Sequence, residues 1–249
     1  MVRKRIIPCL LLQNESLVKT TRFKNPSYIG DAINTVRIFN ELEVDELILL
    51  DIKATTSKTE PNFELLKDIA SECFMPLAYG GGIKNLAQAK KIIEIGFEKV
   101  IINSEAYTCN DLITQIANEL GNQCVIGSLD VKKSFLGNYV VYSNSGNQKE
   151  KINPFQWAKE LESLRAGEIM VTSITQEGTW NGFDMELIEK ITKQVNVPVI
   201  AHGGAGSFKD IEEVFCLNVN AVAVGSMVVY QKKGMGVLVN MKNIINENE

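Results

Sequence analysis

The chain predicts a single (β/α)8, or TIM, barrel built from two duplicated half-barrels. Glycine clusters at 79–83 and 202–206 stand in similar surroundings about 122 residues apart, and short apolar runs alternate with amphipathic segments of helical length. A period this long indicates a doubled half-domain, because solenoid repeats run about 20–50 residues. We therefore expect one domain over 1–249, with halves at roughly 1–122 and 123–249.

Eight runs rich in Ile, Val and Leu are bounded by turn residues, as expected for buried parallel strands. The predicted strands cover 5–11, 46–52, 76–79, 100–103, 124–130, 169–174, 198–202 and 221–225. Apolar residues at three- and four-residue spacing predict helices between them. These cover 31–42, 63–73, 85–95, 112–120, 154–164, 186–195 and 207–217.

Two regions depart from the simple alternation. Gly234 and Gly236 fall where the eighth helix is expected, and each would weaken it by about 1 kcal/mol. An extra strand is expected at 138–142, followed by a polar loop at 143–151 that is either a lid over the active face or a surface insertion.

Composition excludes several classes of protein. A net charge of -4 without a basic stripe argues against nucleic-acid binding. No run has the length of a membrane span, and the first apolar run is too short for a signal peptide and is needed as a strand. Five scattered cysteines and one histidine predict reduced thiols, no metal site, no cofactor and a cytoplasmic protein.

The glycine clusters predict two phosphate-binding cradles. In such a barrel the loops after the strands form the active face, where a glycine-rich turn leaves backbone N–H groups free for a phosphate. The candidates are Gly81, Gly82, Asn103 and Ser104 for the first cradle and Gly178, Gly204, Gly225 and Ser226 for the second. Glycines that only turn the chain are the alternative, but two equivalent clusters favour a ligand with a phosphate at each end.

These motifs give the chain a resemblance to HisF, the cyclase subunit of imidazole glycerol phosphate synthase, along essentially its whole length. The matching stretches are 4–7, 45–47, 50–52, 80–83, 112–117, 167–169, 172–174 and 203–206. In that family the barrel receives ammonia from a glutaminase docked at the N-terminal ends of the strands and uses it on a bis-phosphorylated ribonucleotide. The resemblance therefore implies a lyase of histidine biosynthesis, a HisH-like glutaminase partner and a phosphorylated small-molecule ligand.

The resemblance also implies two catalytic aspartates, at the ends of strands one and five. Asp130 occupies the second position, but Leu11 occupies the first and cannot carry a proton. A general acid or base typically contributes about 10²- to 10⁴-fold in rate, so we expect impaired cyclase activity. Neither Glu15 nor Asp51, which has its own role in the family, is an obvious substitute. Asp130 could instead only cap a loop.

Four charged residues fall at or just before strand starts: Arg5, Glu46, Lys99 and Glu168. Position alone favours a stabilising ion-pair network at the bottom of the barrel. The resemblance implies a gate for ammonia, with Glu98 as a contact for the glutaminase. Further candidates for the active face are Lys19, Asp51, Thr172 and His202. For His202, a phosphate contact or a group titrating near neutral pH competes with a hydrogen-bonded structural residue.

A retained ammonia gate with a damaged cyclase centre favours a paralogue that delivers nitrogen. Some bacteria carry HisF and HisH relatives beside an amidotransferase that converts a surface-polysaccharide sugar acid into an amide or amidine, and Leu11 fits that branch. The alternatives are a working cyclase with a substitute acid and a non-catalytic scaffold that senses phosphorylated metabolites. A phosphosugar isomerase of the same half-barrel ancestry is disfavoured by Leu11.

Overall fold

A computed structural model describes residues 4–109 and 111–241. Its strands are β1 (Arg5–Gln13), β2 (Ser16–Thr21), β3 (Lys24–Asp31), β4 (Leu47–Asp51), β5 (Leu77–Gly80), β6 (Lys99–Ile102), β7 (Val125–Lys133), β8 (Tyr139–Ser143), β9 (Gln148–Lys149), β10 (Glu168–Ser173), β11 (Val199–His202) and β12 (Ala221–Val224). The α-helices are α1 (Ala32–Glu41), α2 (Ala54–Ser57), α3 (Phe63–Ser71), α4 (Leu86–Ile95), α5 (Asp111–Leu120), α6 (Pro154–Ser163), α7 (Met185–Thr192), α8 (Phe208–Phe215) and α9 (Ser226–Val229). Short 3-10 helices cover Ser104–Tyr107 and Asn122–Cys124.

Eight parallel strands close into a barrel in the order β1, β4, β5, β6, β7, β10, β11, β12 and back to β1. All eight correspond to predicted strands, which confirms the predicted (β/α)8 fold. The strands are buried on both faces because their outer sides pack under the helices and their inner sides fill the barrel. The inner side chains are Ile7, Cys9, Ile48, Ala78, Ile101, Ile126, Met170, Ile200, Ala221 and Ala223. Within the described residues, every helix is too short or too polar to cross a bilayer.

An antiparallel hairpin of β2 and β3 stands between β1 and α1, where no strands were predicted. Asn14 and Glu15, with φ of 53° and 56°, make the turn from β1 into β2, and Arg22 and Phe23, with φ of 54° and 61°, make the turn from β2 into β3. Asn tolerates this left-handed conformation, but a turn without Gly or Pro gives a weak sequence signal.

The chain is not helical at Gly234 and Gly236, where the two glycines were expected to weaken the eighth helix. Up to residue 241, where the described part of the chain ends, the helix after β12 is α9 alone, and the chain then turns back so that Tyr230 pairs with Val237. Gly234 adopts a φ of 77°, which a helix cannot contain.

The expected extra strand is β8, which pairs antiparallel with β7 so that Tyr142 lies opposite Asp130. The polar loop after β8 then crosses the mouth of the barrel. Asn144 N donates to Ser104 Oγ at 2.9 Å, and Ser145 Oγ donates to the Ile52 carbonyl at 2.8 Å. Of the two interpretations of this loop, its position matches that of a lid.

Candidate functional site

A cavity of about 320 Å³ opens at the C-terminal ends of the barrel strands. Loops after the strands line it, which is where a barrel of this kind places its chemistry. The predicted residues that it brings together are Leu11, Asp51, Gly81, Gly82, Asn103, Ser104, Asp130, Thr172 and His202. The loop across the mouth adds Ser145 and Asn147 to the lining.

Asp130 is the buried carboxylate of this cavity. Burial raises its pKa to about 7, although hydrogen bonds from Thr172 and Asn103 act to lower it. Asn103 Nδ2 donates to Asp130 Oδ2 at 3.0 Å. A carboxyl group in this environment can both hold and release a proton near neutral pH.

Leu11 lines the same cavity and is 5% exposed. It follows Ile7 and Cys9 on the inner face of β1, so the apolar barrel interior continues up to the cavity. Within the lining, Leu11 offers no proton donor or acceptor to accompany Asp130.

The first cradle borders this cavity through Gly81 and Gly82. In the described chain, the backbone N–H of Gly82 is not paired with any carbonyl, so it is free for an anion. Asp51 Oδ1, in contrast, accepts from the N–H groups of Lys53 and Ala54, both at 2.9 Å. The Asp51 carboxylate thus fixes the turn after β4.

The second cradle is a separate recess lined by Gly178, Gly204, Gly225 and Ser226. The buried side chain of Lys19 enters this recess, and a Cβ added to Gly225 would lie 2.1 Å from Lys19 Nζ. Lys19 forms no ion pair with a described residue. Glu177 also lines this recess, but the hydrogen bonds to its carboxylate come from Thr20 and Phe23. A buried ammonium that is not ion-paired, surrounded by glycine turns, is suited to an anion.

Glu177 fastens the β2–β3 hairpin over this side of the mouth, a role that sequence reasoning missed. Its carboxylate accepts from Thr20 Oγ1 and from Phe23 N, both at 3.0 Å. The next residue, Gly178, approaches so closely that a Cβ there would lie 2.3 Å from the Thr20 carbonyl oxygen. Gly178 therefore also serves close packing, as the alternative interpretation of the glycines expected. The only sequence signal was an acid next to a glycine after the sixth barrel strand.

His202 is buried beside Thr172, with 3.2 Å between His202 Nδ1 and Thr172 Oγ1. Burial and the positive charge of Lys19 lower its pKa to about 3. A neutral imidazole is favoured in this low-dielectric position, and the contact with Thr172 fits the hydrogen-bonded interpretation of His202.

A closed ring of four charges occupies the opposite end of the barrel. Arg5 contacts Glu46 at 2.6 Å and Glu168 at 2.5 Å, and Lys99 contacts the same two carboxylates at 2.8 and 2.7 Å. Burial acts to raise the pKa of Glu168, but the hydrogen bond from Arg5 and the charges of Lys99 and Arg5 outweigh it, and the pKa is lowered. Glu98 is exposed beside this ring. The predicted alternating ring is therefore present, and an apolar cluster that includes Ile7, Ile48 and Met170 lies between it and the cavity.

The segments between the barrel strands and the following helices make the mouth basic, although the whole chain carries a net charge of -4. Exposed basic residues there are Arg22, Lys24, Lys53, Lys58, Lys84, Lys132, Lys149, Lys151, Lys232 and Lys233, and exposed acidic residues are Glu15, Asp31 and Glu60. A basic rim around a cavity attracts anionic ligands and acidic protein surfaces.

The closed barrel and the cavity at the C-terminal ends of its strands define a (β/α)8 protein. Proteins of this class carry their active site at that end of the barrel. Residues 5–234 match the family described as "Histidine biosynthesis protein". The chain is 50% identical over 247 residues to "Putative imidazole glycerol phosphate synthase subunit hisF2" of Pseudomonas aeruginosa, covering 98% of each chain. It is 43% identical over 245 residues to "Putative imidazole glycerol phosphate synthase subunit HisF" of Leptospira interrogans, covering 98% of this chain and 96% of the relative. It is also 40% identical over 227 residues to "Imidazole glycerol phosphate synthase subunit HisF" of Dictyoglomus turgidum, covering 91% and 90%.

The chain therefore belongs to the HisF family of histidine biosynthesis proteins.

Proposed function

We propose that this chain is the barrel subunit of a glutamine-dependent system. It receives ammonia from a HisH-like glutaminase at the charge ring and passes it through the barrel interior to the cavity. The observation that carries the proposal is the combination of a complete ring of Arg5, Glu46, Lys99 and Glu168 with a cavity in which Leu11 stands where a second acid is expected. Apolar walls between the two favour neutral ammonia over ammonium and exclude bulk water.

The cavity and the recess beside it bind a ligand with two phosphates. The first cradle, at Gly81, Gly82, Asn103 and Ser104, serves one phosphate with the unpaired backbone N–H of Gly82. The ammonium of Lys19 serves the other, together with Gly178, Gly204, Gly225 and Ser226. The basic rim draws such a ligand to the mouth.

If this chain delivers nitrogen to another enzyme, it does not need a second catalytic acid, and this explains why Leu11 stands at that position. A cyclase step needs one group to accept a proton and another to deliver one, and Asp130 alone supplies only one of them. The acceptor in this proposal is a sugar acid of a surface polysaccharide, which an associated amidotransferase converts into an amide or amidine. Relatives whose names carry the numbers hisF2 and hisF3 support a branch beside the ordinary cyclase.

A working cyclase is the second candidate. A pKa of about 7 suits Asp130 for alternating acid and base roles, and the relative from Dictyoglomus turgidum carries the name of the cyclase subunit without a number.

The test is ammonium-driven cyclisation of the family's bis-phosphorylated ribonucleotide by the purified chain and by Leu11→Asp. We expect little turnover by the unaltered chain, intact ligand binding, and a gain of about 10²-fold or more in Leu11→Asp. Turnover by the unaltered chain at the rate of Leu11→Asp would establish the cyclase instead.

Delivery itself is tested by gel filtration with a HisH-like glutaminase and by glutamine hydrolysis. Association and faster hydrolysis are expected. Ligand binding without association would leave only a phosphometabolite-binding scaffold.

A further inference from the structure

The turn between β7 and β8 exposes two adjacent large apolar side chains. Phe135 is 104% exposed and Leu136 is 83% exposed. Single exposed apolar residues are ordinary on protein surfaces, but neighbouring Phe and Leu side chains without any cover are a feature of interaction sites.

Hydrogen bonds and an ion pair hold the turn and its base. Ser134 N donates to the Asn138 carbonyl at 2.7 Å, and Gly137 N donates to the Ser134 carbonyl at 3.0 Å. At the base, Tyr139 Oη donates to Asp184 at 2.8 Å and Lys133 pairs with Glu186 at 2.7 Å. An apolar tip that is already ordered loses little conformational entropy when a partner covers it.

The tip stands at the mouth of the barrel. Its strand β7 carries Asp130 and continues for three residues to Lys133, which places the turn roughly 10 Å beyond the Asp130 layer at about 3.3 Å per residue. A protein that covers the mouth therefore meets Phe135 and Leu136.

We propose that this tip docks into an apolar pocket, edged by acidic residues, on the enzyme that consumes the ammonia leaving the barrel. The inference rests on the proposed function, because ammonia that leaves an uncovered mouth escapes into water. The basic rim selects a partner with an acidic surface. Two copies of this chain meeting mouth to mouth would bring like charges together, so a second copy does not fit.

The test first identifies the partner. A photo-crosslinking phenylalanine analogue replaces Phe135 in cells that produce the chain, and the captured protein is identified by mass spectrometry. That protein is then purified and titrated with the unaltered chain, with the double variant Phe135→Ser/Leu136→Ser, and with Phe74→Ser. Phe74 is a matched control because it is 94% exposed but lies between α3 and β5, at the charge-ring end.

We expect the captured protein to be an ammonia-using enzyme whose affinity falls at least about tenfold in the double variant, stays unchanged in Phe74→Ser, and weakens as salt rises. No capture, equal affinity for all three proteins, or capture of a second copy of this chain would each overturn the docking site.

Glutaminase association is measured on the unaltered chain and on the double variant, because Phe74 lies at the end where the glutaminase docks in the proposed function. If the glutaminase binds neither of them, the proposed function fails, and this outcome is distinct from a tip-specific loss of the captured enzyme. A double variant that binds the glutaminase normally and unfolds at the same temperature as the unaltered chain shows that the substitutions leave the fold intact.

Discussion

Burial moves the pKa values of Asp130 and His202 in opposite directions at the mouth of the barrel. The pKa of the Asp130 carboxyl rises to about 7 and that of the His202 imidazole falls to about 3. Both shifts favour the neutral side chain, because a charge is poorly solvated there. Between the pKa of Asp130 in the unfolded chain and its value of about 7 in the folded chain, the folded chain keeps this carboxyl group protonated, whereas the unfolded chain ionises it.

Asp130→Asn should become more stable relative to the unaltered chain as pH rises. The folded pKa of about 7 exceeds the unfolded value, so the contribution of Asp130 to stability is fully present below about pH 4 and is lost as pH rises through 7. The asparagine variant lacks this loss. Its free energy of unfolding should gain up to about 4 kcal/mol between pH 4 and 8, measured by urea unfolding against the unaltered chain. The exposed substitution Asp68→Asn is the control, and a pH-independent difference for Asp130→Asn would contradict the assigned shift.

Gly225→Ala should weaken binding of a doubly phosphorylated ligand by about tenfold or more. The new methyl group would lie 2.1 Å from Lys19 Nζ, so the ammonium must leave the recess and its charge-assisted hydrogen bond, worth about 1.5–3 kcal/mol, is lost. Calorimetric titration with a sugar bisphosphate measures the effect. Gly236→Ala is the control, because nothing lies within 4 Å of a Cβ at that position. Equal affinity of Gly225→Ala and Gly236→Ala for the ligand would show that Lys19 does not bind the phosphate.

At the scale of elements, the β2–β3 hairpin is joined to the barrel by the pairing of β2 with β1 and by the loop after β10. Arg22 N donates to the Glu177 carbonyl at 2.9 Å, and the Glu177 carboxylate holds Thr20 and Phe23. The side chain of Lys19 reaches the recess from this hairpin, so fastening the hairpin also positions the ammonium.

Glu177→Ala should release the hairpin. Two donors would lose their acceptor, at a cost of about 1–3 kcal/mol for each that stays buried. Trypsin should then cleave after Arg22 and Lys24 faster than in the unaltered chain, as followed by mass spectrometry. Glu189→Ala, which removes only an exposed ion pair with Lys193, should leave the cleavage rate unchanged. Resistance equal to that of the unaltered chain would show that other contacts hold the hairpin.

The elements that the sequence predicted correctly are those whose burial pattern is local. Barrel strands and outer helices follow directly from runs and periods of apolar residues. The β2–β3 hairpin was missed because Arg22 and Phe23 make its turn without glycine or proline. Asp130 was singled out through the resemblance to HisF, and the charge ring because its four residues fall at or just before strand starts. The role of Glu177 could not be read, because its partner Thr20 lies 157 residues away in the sequence.

At the scale of the whole molecule, the ring closes one end of the barrel and the basic rim surrounds the other. Lys99→Met should destabilise the chain by about 3 kcal/mol, because it leaves Glu46 and Glu168 buried with a single cation. For a chain of this size that corresponds to a fall in melting temperature of about 6–12 °C in a calorimetric scan. Lys90→Met, which breaks the exposed pair with Glu119, should change stability by less than about 1 kcal/mol. Similar shifts in both variants would mean that the ring adds no more than a surface pair.

Every cation of this ring is shared by both carboxylates, and every carboxylate by both cations. A side chain that rotates out of the ring therefore loses both of its ion-pair partners at once. Partial opening is thus unfavourable in free energy, and the closed ring is the stable arrangement. If ammonia enters through the ring as proposed, the isolated barrel is closed to small solutes at the N-terminal ends of its strands. The free energy that unseals it has to come from the subunit that attaches there, which makes supply of ammonia and attachment of its source a single event.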